Sequence, residues 1–170
     1  TYTVKDGDGD TATAKLTINI DNGGVTITGL NPEADGGDAS VNEANLPDGS
    51  APNAAALTQT GDFTISAPDG LGSLKLGGVE VLNAGGLTNA VVTTPDGNSL
   101  KVTGYDAGTG VVTYQYTLLD NEAHPDGQGV NALFDNLTVN LTDSDGSAAS
   151  DTLSIKIVDD VPTAKADAAS

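Results

Sequence analysis

The sequence predicts an all-β protein, an antiparallel sandwich built around one core. Three observations predict it. Apolar and polar residues alternate with period two in four separate segments; Asp-Gly turn signals recur between segments; no stretch combines helical periodicity with caps. Period-two alternation buries one face of a strand and leaves the other wet, as in antiparallel sheets.

The elements follow in chain order. Residues 15–20 alternate polar and apolar, with Leu16, Ile18 and Ile20 on one face. Further strands are expected at 25–28, 63–66, 73–76, 90–94 and 99–103. Val112, Tyr114, Tyr116 and Leu118 form one apolar row. Leu137, Val139 and Leu141 form another, with Thr138 and Asn140 opposite. Leu153, Ile155 and Ile157 form the last, with Ser154 and Lys156 outside. Asp-Gly pairs begin at Asp6, Asp8, Asp35, Asp48, Asp69, Asp96, Asp126 and Asp145, and suit turns that need positive φ. Residues 53–57 fit one short helical turn. The sequons at Asn136 and Asn140 fall on outward positions of an alternating strand.

Composition narrows the function. The chain of 170 residues has 2 Phe, 4 Tyr and no Trp or Met. Val, Leu, Ile and Ala fill thin sheets well, but they do not line a large aromatic pocket. Six Lys and no Arg stand against 24 acids, for a formal charge of -18. That charge opposes nucleic acid and anionic membrane surfaces. No apolar run approaches the ~20 residues of a membrane-spanning helix, so direct membrane insertion is not expected. The absence of Cys excludes disulfides. Of the acids, 20 are Asp and 4 are Glu. Generic solvation does not need that bias; tight loops that bond their own backbone or a hard cation do.

One internal repeat organises the chain. Val4–Asn22 recurs as Leu141–Asp159, every position offset by 137: Asp6 matches Asp143, Asp8 matches Asp145, and Leu16, Ile18 and Ile20 match Leu153, Ile155 and Ile157. Each copy reads as strand, acidic turn, strand. Residues 1–20 are thus expected to be the closing hairpin of a preceding unit, 21–160 a complete sandwich, and 161–170 a linker to the next unit.

The expected ligands for a metal are carboxylates at turns and strand ends. Asp6 and Asp8, and likewise Asp143 and Asp145, alternate with small residues in tight turns and can curl around Ca²⁺. The first run is no EF-hand, because Thr11 stands at the turn Gly and Thr17 at the bidentate Glu. Asp159 and Asp160 end the last strand before the linker, with Asp21-Asn22 as the counterpart in the first copy. Glu43 opens the unit and is expected near Asp21 or a tip of the first copy. Asp69-Gly70-Leu71-Gly72 reads as a plain turn, while Asp120, Asn121 and Glu122 could add ligands. His124 is the one histidine and reads as a surface residue; with no Cys, zinc is not expected. No nucleophile elbow, phosphate-cradling loop or thiol nucleophile is present, so the chain reads as no enzyme.

Three stretches together resemble a family: 114–124 (YQYTLLDNEAH), 134–146 (FDNLTVNLTDSDG) and 153–162 (LSIKIVDDVP). With 41–47 (VNEANLP) and 60–65 (TGDFTI), they resemble the repeat units of giant RTX adhesins exported by type I secretion. The likeness spans most of 43–162. It implies an Ig-like or cadherin-like sandwich, bound Ca²⁺, secretion to the bacterial cell surface, and a tandem array supporting adhesion and biofilm formation. The partners it implies are neighbouring repeats of the same chain, around a monomeric unit. The RTX nonapeptide Gly-Gly-x-Gly-x-Asp is absent. Two roles fit the resemblance: a calcium-stiffened extender, or a module that grips a surface glycan or protein through its calcium loops.

Overall fold

A computed structural model of the chain describes residues 1–18, 23–84, 86–124 and 131–161. β1 (Tyr2–Lys5) and β2 (Thr11–Ala14) pair as a hairpin of their own. The sandwich comprises β3 (Thr26–Thr28), β4 (Ala39–Asn42), β5 (Thr58–Ser66), β6 (Leu71–Leu76), β7 (Val79–Asn83), β8 (Gly86–Leu87), β9 (Val91–Thr93), β10 (Ser99–Tyr105), β11 (Val111–Thr117), β12 (Ala132–Asp143) and β13 (Ala148–Val158). One sheet has the order β3-β5-β11-β10-β9, the other β4-β13-β12-β6-β7-β8. The protein is an all-β, Ig-like sandwich, as the alternation predicts.

The core is the set of inward rows. Leu137, Val139 and Leu141 of β12 and Leu153, Ile155 and Ile157 of β13 are buried, facing Val112, Tyr114 and Tyr116 of β11 and Phe63 and Ile65 of β5. The Phe63 and Tyr114 rings pack 6.3 Å apart between centroids. Gly61 makes this possible: a Cβ there would stand 2.3 Å from the Tyr114 hydroxyl oxygen. Residues 54–57 form the expected short turn, of 3₁₀ type.

Four details differ from the sequence reading. The alternation at 15–20 gives no strand among the described residues 15–18. In the second copy Leu153 and Ile155 pair with Leu137 and Asp135 of β12, whereas 15–18 pair with no strand among the described residues. Ser154 is buried rather than outward, because the 37–38 segment lies against it: the Asp38 N–H donates to its carbonyl (2.7 Å) and Asp38 Oδ2 accepts from its N–H (2.8 Å). β4, β7 and β8 fall outside the strands that the alternation predicts. Finally, β4 runs parallel to β13, with Asn42 opposite Val158.

The two copies of the repeat fold alike. Lys5 pairs with Thr11 and Tyr2 with Ala14; 137 positions on, Thr142 pairs with Ala148 and Val139 with Asp151. The turns match too: Asp6 N–H donates to the Asp10 carbonyl, and Asp143 N–H to the Ser147 carbonyl, each at 3.0 Å. Gly9 and Gly146 hold φ of 107° and 99°, which an L side chain rarely adopts. Surroundings separate them. Tyr2, Val4, Leu16 and Ile18 are 59–73% exposed, while their counterparts Val139, Leu141, Leu153 and Ile155 are at 0%.

Candidate metal centres

β13 carries the chain from one end of the sandwich to the other, about 35 Å at 3.3 Å per residue. The β12–β13 turn marks the proximal pole, where the chain arrives from residues 1–18. The end of β13 marks the distal pole, where the chain leaves. Strand registry sends carboxylates to both. In β12 the inward row reads Asp135, Leu137, Val139, Leu141, Asp143, so an acid caps each end of the apolar stripe.

At the proximal pole, Asp143 is 3% exposed. Its Oδ1 accepts three backbone N–H groups: Asp145 (3.2 Å), Gly146 (3.0 Å) and Ser147 (2.8 Å). Its Oδ2 is buried with no hydrogen-bond partner. Asp145 Oδ1 accepts from Ser147 N–H at 3.1 Å. The β5–β6 turn brings Asp69 alongside, fastened by Ser144 N–H to the Gly70 carbonyl (2.8 Å) and by the Ser144 hydroxyl donating to the Asp69 carbonyl. Asp69, Asp143 and Asp145 then each offer an oxygen within 4.8 Å of the others. Gly72 permits the approach, since a Cβ there would fall 2.3 Å from the Asp143 carbonyl oxygen. Asp69 Oδ2 also accepts the N–H of Gly23, tying the cluster to the arriving chain (2.9 Å).

Burial pushes the Asp143 carboxyl above the usual range, and the neighbouring Asp145 carboxyl adds to it; the interaction with Asp143, then the Ser147 N–H, holds Asp145 below. In the exposed first hairpin, Asp6, Asp8 and Asp10 form the matching group. There a hydrogen bond with Asp8, then the N–H groups of Asp10 and Gly9, hold Asp6 low.

At the distal pole, Glu43 follows β4 and, because β4 lies parallel to β13, stands next to Asp159. Asn42 caps this short turn by accepting the Ala44 N–H at 2.8 Å. Gly49 crosses beneath so closely that a Cβ would meet the Glu43 carbonyl at 2.5 Å. Glu43 Oε1 accepts the Glu122 N–H (2.6 Å) and lies 3.1 Å from His124 Nε2. Glu43, His124 and Asp159 each offer a donor atom within 4.8 Å of the others. Asp160 is held by Ser50, whose N–H donates to Oδ2 (2.7 Å) and whose hydroxyl donates to Oδ1 (2.5 Å). A cavity of about 210 Å³ opens here among Glu43, Asp48, Glu122, Asp159 and Asp160. Burial raises the Glu122 carboxyl, against a hydrogen bond from Asn98 that lowers it.

The sequence-derived ligands therefore divide into separate groups. Asp143 and Asp145 meet at the proximal pole with Asp69, which sequence reading took for a plain turn. Asp6 and Asp8 stay together in the exposed hairpin. Glu43, Asp159 and Asp160 share the distal pole, so Glu43 lies beside the strand end and not beside a tip of the first copy. Asp21 lies outside the described residues. Asn121 and Glu122 line the distal cavity. His124, expected on the surface, has a side chain only 6% exposed. Asp135 was missed: it is fully buried, and its Oδ2 accepts from the Tyr116 hydroxyl (2.8 Å) and from Thr94 Oγ1. Extending the Leu137-Val139-Leu141 register one step back would have found it.

The proximal group fits a hard cation. Its donors are all oxygen, and Asp143 Oδ2 has no other partner. Among the described residues no lysine stands within 4.0 Å of any carboxylate; the one ion pair is His124 with Glu43. The chain matches no protein-family model and no curated protein.

Proposed function

We propose that this chain is a calcium-stabilised extender module of a large secreted bacterial cell-surface adhesin, a spacer that bound Ca²⁺ makes rigid. One observation carries the reading. Carboxylates gather at the two poles, where one unit would meet the next, and among the described residues no lysine lies beside them. Crowded carboxylates repel, and a cation among them reverses the sign of that interaction. At the proximal pole Asp69, Asp143 and Asp145 would hold the ion, and Asp69 is also the residue that grips Gly23 of the arriving chain. A cation there would stiffen the joint along with the loop. At the distal pole Asp159 and Asp160 stand where the chain departs.

The matched hairpins support a tandem array. Residues 1–18 reproduce the register of the closing strands of the sandwich, but with their apolar row exposed. That row is what the body of a preceding unit would cover. The resemblance to RTX adhesin repeats points the same way, toward an extracellular setting rich in calcium, and supplies the roles in adhesion and biofilm.

The test is a protein of two units in tandem, measured by small-angle scattering with calcium and with chelator. The expected result is an extended particle in calcium that bends or flexes in chelator, and an Asp159→Ala, Asp160→Ala double variant that stays flexible in both. A particle equally extended in all four cases refutes the reading.

A further inference from the structure

Counting residues argues against a transition metal in this chain, because it has one histidine and no cysteine. Tertiary structure changes the count that matters. The lone histidine is carried into the distal pole, where its side chain is 6% exposed. Neither Nδ1 nor Nε2 makes a hydrogen bond of acceptable geometry, though both atoms are shielded from water. Nε2 has only the Glu43 carboxylate beside it and Nδ1 has no partner among the described residues; a buried ring nitrogen left so is costly, and native proteins rarely leave one without a purpose. Nε2 is 3.1 Å from Glu43 Oε1, and a carboxylate oxygen of Asp159 completes a triangle with sides under 4.8 Å.

We infer that Glu43, His124 and Asp159 form a site for a zinc-class divalent transition metal, distinct in metal preference from the all-oxygen cluster of the proximal pole. The donor set is the reason. Ca²⁺ and Mg²⁺ take oxygen ligands, whereas imidazole nitrogen favours zinc and its first-row neighbours. The spacing agrees. Two ligands held at ~2.1 Å from a tetrahedral zinc stand about 3.4 Å apart, close to the Glu43–His124 separation. Glu43 is already oriented, since the Glu122 N–H binds the same Oε1 that faces the ring. The adjoining cavity leaves room for a water as a fourth ligand. Such a site shares Asp159 with the proposed calcium joint and would take a scarce metal there in the presence of abundant calcium, a property that the calcium reading does not include.

The histidine also supplies a clean probe, because its ring signals in NMR need no assignment. The tag-free 170-residue chain in excess Ca²⁺ is titrated with Zn²⁺, and with Co²⁺ for the visible spectrum. The expected result is one Zn²⁺ per chain, a displaced His124 ring-nitrogen resonance complete at one equivalent, and a tetrahedral Co²⁺ spectrum. His124→Ala should weaken Zn²⁺ at least tenfold and leave the calcium-induced rise in melting temperature intact. Ring resonances that zinc does not move overturn the inference in the parent protein, without reliance on any variant. Zinc binding that survives His124→Ala also overturns it. The calcium reading fails separately: Asp143→Asn would then leave the calcium response unchanged whatever the zinc result.

Discussion

Asp143→Asn separates the two things that Asp143 does. The amide keeps an oxygen to accept the N–H groups of Asp145, Gly146 and Ser147, so the turn survives. What it removes is a buried negative charge whose second oxygen has no partner. In chelator that charge is a liability, because burial and the neighbouring Asp145 both oppose ionisation. Asp143→Asn should then be at least as stable as the parent. In calcium the order reverses. One site that binds only the folded state and is held at 100 times its Kd adds ~2.7 kcal/mol. For a domain of this size that raises Tm by about 5–11 °C. Asp143→Asn should lose most of that rise, while Asp6→Asn, in the same turn without its cover, should leave it within about 2 °C of the parent. Scanning calorimetry of the three proteins in chelator and in saturating calcium gives the answer. An Asp143→Asn protein that is less stable than the parent in chelator, or that keeps the full calcium shift, refutes the reasoning. Mg²⁺, which demands stricter geometry and sheds water reluctantly, should reproduce little of the shift.

Three further outcomes are expected. In chelator, stability should rise as pH falls from 7 toward about 5: Asp38, Asp96, Glu122 and Asp143 are raised, chiefly by burial, so the folded state takes up protons before the unfolded one. In calcium the slope should have the opposite sign, because protonation removes ligands; the lowered groups Asp6, Asp106 and Asp145 lose their contribution only below about 4. Urea unfolding at several pH values, with and without calcium, reads both slopes. Tyr116→Phe should cost about 1–3 kcal/mol by urea unfolding, since it takes one of two donors from the buried Asp135 oxygen. Removing residues 1–18 should leave the sandwich melting within about 2 °C, because those residues are exposed throughout and none joins the core; a larger loss, by calorimetry, would mean that the hairpin braces the unit.

The fold was legible because period-two alternation is a local property. The side chains of Leu137, Val139 and Leu141 go inward whatever they meet, and the Asp-Gly turns set where the chain reverses. The same locality made the hairpin repeat visible, down to the turn that Asp6 and Asp143 share. Each ligand cluster was half legible for the same reason: Asp143 and Asp145 are two residues apart and must face one cation together if any. Their third partner could not be read. Asp69 is 74 positions away and arrives only because β6 pairs with the end of β12. The parallel placement of β4 against β13 likewise carries Glu43 to Asp159, and the chain after β11 carries His124 to both. Strand pairing across long sequence separation decides such contacts, and alternation does not encode which strands pair. So the sequence by itself determined the sandwich, the acidic turns and the doubled hairpin. Only the tertiary structure decided that the acids stand in groups at opposite poles, that Asp143 is buried while its counterpart Asp6 is exposed, and that the single histidine's side chain lies inside.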